Sequence, residues 1–190
     1  MRIFYAAEFT EIVKQQMADN LLEVKKHTVK GSFTRRDDFH LTFVFVGECE
    51  SSVLTNLKKA ADETVKKLNP APIDVTIGGL GTFSRSHGDI LWAGLKVQSE
   101  PCDILSEINK MLLAELREVG INLKQEHNKF VPHVTIGRRV KFDECADKNL
   151  EQIKFAPINF TIDAITIMES VFASKGIIYK PLYRAEFIKN

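Results

Sequence analysis

Two of the five histidines in this chain occur in the same local pattern, in which a histidine is followed two residues later by a threonine. The first pair is His40 and Thr42, and the second is His133 and Thr135. Both pairs lie in short runs of apolar and β-branched residues, which are typical of strands. Since residues i and i+2 of a strand point to the same face, each histidine is expected to project beside its threonine. The repeated pattern predicts two similar lobes that face one cleft.

Paired histidines suit phosphoryl transfer. The pKa of histidine, about 6.5, allows one imidazole to accept a proton from an attacking water or hydroxyl while another donates a proton to the leaving oxygen. Threonine hydroxyls beside them can donate hydrogen bonds to phosphate oxygens. A single such motif would more simply be a strand with a half-exposed histidine. Two motifs, each followed by a glycine (Gly47 and Gly137), favour a shared catalytic role that needs no metal.

The two motifs resemble those of the 2H phosphoesterases, and within them the LigT-like RNA 2′,3′-cyclic phosphodiesterases, also called 2′-5′ RNA ligases. Residues 39–48 and 130–138 match the two motifs of that family. Residues 1–8 resemble its first strand, and residues 90–95 resemble its central strand, which carries a tryptophan. These matches occur in the order found in the family, but none lies beyond about residue 140.

The resemblance implies an α+β fold with two pseudo-symmetric lobes, in which antiparallel sheets line a central cleft and helices lie outside. The length suits one domain over residues 1–190, with no linker between the lobes. Apolar periodicity predicts helices over about residues 10–29, 52–68, 101–120 and 143–153. It predicts strands over about residues 3–8, 39–46, 73–77, 90–97 and 130–136, and β-rich segments over residues 158–168 and 177–187. A glycine-rich turn is expected between the strands at 73–77 and 90–97.

The resemblance also implies roles for individual residues. His40 corresponds to the proton donor of the family and His133 to its proton acceptor, while Thr42, Thr135 and Arg138 would hold the phosphate. The implied reaction opens the 2′,3′-cyclic phosphate at an RNA 3′ end and leaves a 2′-phosphomonoester. The other name of the family implies that 2′-5′ ligation is also possible. The sequence does not decide which histidine is the acid and which the base.

Basic residues flank both motifs, although the net charge of the chain is only +1. We expect Arg35, Arg36, Lys129 and Arg139 to form a basic rim that binds phosphates of an RNA end. The alternative is that they are solvated loop charges. Phe9 borders the predicted site and is expected to stack on a base, with a place in the core as the alternative.

Other chemistries have little support in the sequence. The remaining histidines, His27, His87 and His127, are expected to be structural or solvated. No histidine, cysteine and carboxylate pattern at metal-ligand spacing is present, so neither a metal nor another cofactor is expected. The absence of a Gly-x-Ser-x-Gly motif argues against a serine hydrolase.

Composition favours an enzyme of the cytoplasm. The three cysteines are odd in number and scattered, which is typical of free thiols in a reducing compartment. Neither a secretory leader nor an apolar run of the length that spans a membrane is apparent, and we expect a monomer.

Three functions remain open from the sequence. The first is the RNA 2′,3′-cyclic phosphodiesterase. The second is a related phosphodiesterase that acts on a small cyclic nucleotide, ADP-ribose cyclic phosphate or a 2′-5′ oligoadenylate. The third is a nucleotide- or RNA-end-binding protein without turnover, which the four intact motif residues disfavour because binding alone needs no pair of proton-transfer groups.

Overall fold

The computed structural model describes residues 1–123, 129–143, 150–174 and 176–188. The helices of these residues are α1 (Glu11–Lys26), α2 (Leu54–Leu68) and α3 (Ile104–Glu118). The strands are β1 (Arg2–Glu8), β2 (Thr28–Phe33), β3 (His40–Glu48), β4 (Ile73–Phe83), β5 (Asp89–Val97), β6 (His133–Phe142), β7 (Ile158–Ile162), β8 (Ala164–Ala173) and β9 (Gly176–Glu186). None of the described helices is long and apolar enough to cross a membrane.

The strands form two antiparallel sheets, one for each histidine motif. The first sheet has the order β3-β1-β8-β9 and carries His40 on its edge strand. The second sheet has the order β2-β6-β5-β4-β7 and carries His133 on β6, between β2 and β5. Strands β3 and β6 lie next to each other where the two sheets meet. This α+β architecture with two antiparallel sheets confirms the predicted fold class.

The helices cover the faces of the sheets that turn away from the motifs. Helices α2 and α3 pack on the first sheet, where the Tyr5 hydroxyl donates a hydrogen bond to the carbonyl of Leu57 at 2.8 Å. Helix α1 contacts β7 of the second sheet and buries Val13 and Met17. Thr10 caps α1 by accepting a hydrogen bond from the Val13 amide at 3.3 Å, as its type and position predict.

Alternation along the two motif strands matches the sequence pattern. The residues next to the motif histidines and threonines are buried, namely Leu41, Phe43, Val134 and Ile136. The four histidine and threonine side chains are half-buried on the opposite face. Each motif therefore places its polar pair on the cleft and its apolar pair in the core, as predicted.

Three elements differ from the sequence-based expectation. Helix α1 ends at Lys26, and the next segment is β2, an edge strand in which no residue is buried and which therefore lacks an apolar signal. The expected glycine-rich turn is mostly strand, because β4 continues to Phe83 through a bulge at Gly79 (φ +66°). The β-rich segment expected at 158–168 contains β7 and the first part of β8, and these two strands belong to different sheets.

The short helix expected over residues 143–153 is represented in the described residues by a single 3₁₀ turn, Leu150–Gln152. Residues 144–149 of that expectation lie outside the described residues.

Candidate active site

Both motif histidines are held by the same backbone hydrogen bond. Nδ1 of His40 lies 2.7 Å from the carbonyl oxygen of Asp38, and Nδ1 of His133 lies 2.7 Å from the carbonyl oxygen of Val131. Since a carbonyl oxygen only accepts, Nδ1 is the donor in both cases and carries a hydrogen. In the neutral imidazole, Nε2 is then left with its lone pair available. The two histidines thus offer the same ring nitrogen for proton transfer.

His40 is enclosed by two aromatic rings of the first sheet. The ring centroids of Phe4, on β1, and Tyr179, on β9, lie 4.9 Å and 5.0 Å from that of the imidazole. Burial among these groups lowers the pKa of His40 to about 4. The Asp38 carbonyl opposes this shift, and the positive charge of Arg138 adds to it. His40 is therefore neutral in the free protein at neutral pH.

His133 has corresponding aromatic neighbours in the second sheet. The Phe83 ring, on β4, meets the imidazole edge-on at 5.0 Å, and the Trp92 ring, on β5, lies at 6.1 Å. Burial also lowers the pKa of His133, and the charge of Arg138 lowers it further. The indole lies flat over Gly81, where an added Cβ would come within 2.2 Å of the ring. Glycine at position 81 is thus required for this placement of Trp92.

A β-bulge brings Arg138 onto the same face as the second motif. Thr135 and Arg138 lie opposite Trp92 and Ile90, which are two positions apart on β5, whereas the first two are three apart on β6. In a regular strand, residues three apart would point to opposite faces. The extra residue in β6 restores Arg138 to the cleft face of Thr135. The guanidinium can there bind two phosphate oxygens at once.

A cavity of about 860 Å³ adjoins the motifs on the side of Thr42 and His133. One wall is the outer edge of β3, since nearly every residue from Thr42 to Glu48 lines it. The other walls are formed by β4, α3 and the segment before β6, including Phe83, Arg85, Asn109, Leu113, Lys129, Phe130 and Val131. Its volume lies within the range of about 300–1,000 Å³ that is typical of small-molecule sites. Of the four motif residues, Thr42 and His133 line this cavity, whereas His40 and Thr135 are not among its lining residues.

The four residues of the predicted basic rim have different surroundings in the structure. Lys129 lines the cavity. Arg35 forms an ion pair with the Asp38 carboxylate at 2.6 Å and also contacts the carbonyl of Ile177. Arg36 pairs instead with Glu11 at 2.7 Å and with Asp37 at 2.8 Å, so its guanidinium is held by carboxylates.

The fourth member of the rim, Arg139, is exposed and has a left-handed backbone (φ +53°). It forms a second bulge of β6, opposite Gly88, whose absent Cβ would lie 3.0 Å from the Arg139 Cα. Glycine is required at position 88 both by this close approach and by its own φ of +105°.

The expectation that Phe9 stacks on a base is corrected by the structure. Phe9 is only 4% exposed and packs edge-on against Phe160 at 5.0 Å, in the core beneath α1. Phe39 is also buried, at 2% exposed, whereas Phe130 lines the cavity.

The other histidines that the structure describes take no part in the site. His27, at the end of α1, lies 3.8 Å from Glu23 and 3.9 Å from Asp143, and His87 is exposed in the turn between β4 and β5. His127 lies outside the described residues. Within the described ranges, no three histidine, cysteine, aspartate or glutamate side chains group together in a way that could hold a metal ion.

Three aromatic residues at the site were missed by sequence reasoning. Phe4 and Phe83 lie on predicted or extended strands, but only strand pairing shows that they reach the histidines. Tyr179 lies in the part of the chain without a recognised motif. Its strand, β9, is the edge strand opposite β3 in the first sheet, and β8 lies between it and β1. Alternation over residues 177–187 could have shown that Tyr179 shares a face with Ile177, but not which face that is.

Comparison with known proteins gives the same picture. Residues 18–171 match the model of the 2′-5′ RNA ligase superfamily. A protein of Thermotoga maritima named RNA 2′,3′-cyclic phosphodiesterase is 30% identical over 98% of this chain and 96% of its own length. A protein of the same name from Methanocaldococcus jannaschii is 27% identical over 95% of this chain and 97% of its own length.

Solved structures share the fold at lower identity. The protein TT0787 of Thermus thermophilus superposes with a TM-score of 0.71 at 19% identity, covering 98% of both chains. E. coli LigT in complex with 3′-AMP superposes with a TM-score of 0.69 at 20% identity, covering 99% of this chain and 98% of that one. LigT has also been crystallised with ATP and with NADP+. By sequence and by fold, this chain belongs to the 2′-5′ RNA ligase superfamily.

Proposed function

We propose that this protein is an RNA 2′,3′-cyclic phosphodiesterase that hydrolyses the terminal cyclic phosphate to a 2′-phosphomonoester. The observation that carries the proposal is the matched pair of histidines. Both use Nδ1 to bind a backbone carbonyl and keep Nε2 for chemistry, on two strands that lie next to each other where the sheets meet. The names of the relatives from Thermotoga and Methanocaldococcus support the choice of substrate.

The phosphate is held by the polar groups between the two strands. Thr42 and Thr135 share a face with their histidines, and the bulge in β6 adds Arg138 to that face. Hydroxyl donors and a guanidinium placed there stabilise the negative charge that accumulates on the non-bridging oxygens as the phosphorus becomes five-coordinate.

The chemical step requires one neutral and one protonated imidazole. Neutral His133 accepts a proton from water through Nε2 as the water oxygen bonds to phosphorus. Protonated His40 donates its Nε2 proton to the 3′ oxygen as the bond from that oxygen to phosphorus breaks. The products are a 3′ hydroxyl, which holds the proton from His40, and a 2′-phosphomonoester, and His133 is left protonated by the proton from water. If a 5′ hydroxyl of a second RNA replaces water, the same step forms a 2′-5′ linkage.

Binding of the substrate favours the protonated form of His40 that this step requires. In the free protein the pKa of each histidine is lowered, so both imidazoles are neutral at neutral pH, with Nε2 unprotonated. An anionic phosphate beside His40 stabilises the imidazolium and offsets the charge of Arg138. His40 therefore gains its proton in the complex, where its buried position makes it a strong acid.

The basic rim is assigned to phosphates further along an RNA. Lys129 lines the cavity, and we expect it to contribute most to RNA binding. We expect Arg36 to contribute least, because it pairs with two carboxylates. We further propose that the enzyme acts as a monomer of one domain in the cytoplasm. The scattered, odd set of cysteines supports that compartment, and two of them, Cys49 and Cys102, are free thiols.

A substrate panel tests the proposal. The purified protein would be incubated, with EDTA present, with RNA ending in a 2′,3′-cyclic phosphate, with small 2′,3′-cyclic nucleotides, with ADP-ribose cyclic phosphate and with 2′-5′ oligoadenylate. We expect cyclic-phosphate RNA to give the highest kcat/KM and a 2′-phosphate product. The His40→Ala variant is the inactive control. A preference for another substrate would replace RNA in the proposal. Loss of rate in EDTA that added metal restores would overturn the metal-free mechanism.

A further inference from the structure

Tyr179 closes one side of the space around His40. The centroid distances are 4.9 Å from His40 to Phe4, 5.0 Å from His40 to Tyr179 and 5.1 Å from Phe4 to Tyr179, so the three rings form a triangle of mutual contacts. Tyr179 meets both of the other rings edge-on, at 82° and 77°. These are favourable geometries for aromatic contacts. A ring in this position limits the rotation of the imidazole.

Tyr179 and His40 lie on the two opposite edge strands of the first sheet, β9 and β3, so their rings meet across the face of the sheet and not through strand pairing. Tyr179 pairs with Ser170 of β8, and Ser170 pairs with Arg2 of β1, two residues before Phe4 on the same face. Beneath the triangle, Phe4, Ala6 and Met168 form a small buried apolar cluster against which Tyr179 packs.

We propose that Tyr179 is a positioning residue for His40, whose ring keeps water away from the imidazole and holds its Nε2 toward the reacting phosphate. The effect on turnover rests on the proposed function. The effect on the imidazole does not, because it concerns the free protein alone.

Other groups that act on His40 remain in place when the ring is removed. The titratable and charged groups facing His40 and Tyr179 come from the turn before β3, from β1 and from β6, namely Arg35, Asp38, Arg2, Glu8, His133 and Arg138. Burial raises the pKa of the Tyr179 phenol, so Tyr179 stays neutral at neutral pH. Tyr179 therefore acts on His40 through the bulk of its ring rather than through a charge.

The test is an NMR titration of the histidine ring protons in the free protein, with the His40 and His133 signals assigned by single substitutions. Tyr179→Leu admits water and should raise the pKa of His40 by about one unit, toward its ordinary value, because desolvation is its main cause of depression. The pKa of His133 should not change. Tyr179→Phe keeps the ring and should keep the low pKa of His40.

Two further variants guard against loss of folding and non-specific effects. Tyr179→Met fills part of the space with a flexible chain and should give a smaller shift in the same direction. Phe172→Ala is the matched control, since Phe172 is 75% exposed on the neighbouring strand β8 and touches neither histidine. It should leave both titrations unchanged.

Kinetics on a cyclic-phosphate substrate form the second arm. Tyr179→Leu should lower kcat about tenfold with little change in KM, since misplacement of a catalytic group by about 1 Å is enough for such a loss, and Tyr179→Phe should recover most of it. An unchanged His40 titration in both Tyr179→Leu and Tyr179→Met would overturn the proposal. So would equal kinetic losses in Tyr179→Leu and Tyr179→Phe, because the hydroxyl would then be the important group. If no substrate is turned over, the proposed function fails, and the NMR titration still decides the role of the ring.

Discussion

His40 lies on the edge strand of the first sheet, whereas His133 lies on an interior strand of the second. The two share the hydrogen bond from Nδ1 to the carbonyl of the residue two positions earlier. They differ in their surroundings, since His40 packs against Phe4 and Tyr179 at about equal distances, while Trp92 lies 6.1 Å from His133. The pKa of His40 is lowered to about 4. Backbone geometry thus makes the histidines alike, and packing makes them chemically different.

A mechanism with one acid and one base requires that the two histidines of a repeated motif differ in their affinity for a proton. Two identical groups would titrate together, and a pair that shares one ionising proton would carry it on either histidine with equal probability. Unequal burial separates their affinities for the proton. Arg138 contributes to both halves, because its charge lowers the pKa of each histidine and its side chain lies on the face of Thr135.

Loss of either motif histidine is expected to have the largest effect on activity. Replacing either His40 or His133 by alanine should lower kcat by about two to four orders of magnitude, the usual loss for a positioned acid or base. The double variant should be little worse than either single one, because both groups act in the same step. Single-turnover rates on cyclic-phosphate RNA would measure this. Near-normal activity in either single variant would contradict a mechanism that needs both.

The sequence predicted the two histidines but not what makes them different. Motif spacing and alternation were enough to place His40 beside Thr42 and His133 beside Thr135, because the period of a strand is a local property. The face of Arg138 depends on a bulge relative to β5, and the contact of Tyr179 depends on the pairing of β9 with β8. Pairing between distant strands is not encoded in local pattern, so these features required the structure.

The same limit explains the errors in the fold and at the site. The edge strand β2 has no apolar alternation by which it could be recognised. Phe9 directly follows β1, close to His40 in register, yet its side chain turns into the core. Proximity along the chain to a site residue did not indicate which way the side chain points.

A substitution next to Trp92 can disturb the surroundings of His133 without changing those of His40. Gly81→Ala places a methyl group where the Trp92 ring lies, so the indole and with it His133 must move. We expect kcat/KM to fall by about ten- to a hundredfold, the scale of a displacement of about 1 Å at a catalytic group. Gly78→Ala is the matched control, because it lies on the same strand and its Cβ would be no nearer than 3.9 Å to another atom. Equal losses in the two variants would show that the strand, and not the indole, matters.

The pH dependence of the rate tests the protonation states. The pKa of each histidine in the free protein lies below the ordinary value of about 6.5, and the active form carries one proton on the pair. Above both pKa values this form decreases about tenfold per pH unit, so kcat/KM should be bell-shaped with its maximum below pH 6.5. In kcat, which reports the complex, the bound phosphate raises the pKa of His40 and should move the decline to higher pH. A maximum of kcat/KM above about pH 7 would contradict the lowered pKa values.

The smallest expected effect compares the basic residues of the two halves. Lys129 lies beside the His133 strand and lines the cavity, whereas Arg36 lies before the His40 strand and pairs with Glu11 and Asp37. Each phosphate contact contributes about 0.7 to the slope of log affinity against log salt for a single strand. Lys129→Ala should reduce the slope for a cyclic-phosphate RNA by about that amount and have a smaller effect on a small cyclic nucleotide. Arg36→Ala should leave both slopes unchanged, since its guanidinium is held by carboxylates. Titrations between low and physiological salt would measure the slopes. Equal slopes in Lys129→Ala and the parent would mean that RNA beyond the reacting phosphate does not contact this side of the cleft, and a small cyclic nucleotide would then be the better candidate substrate.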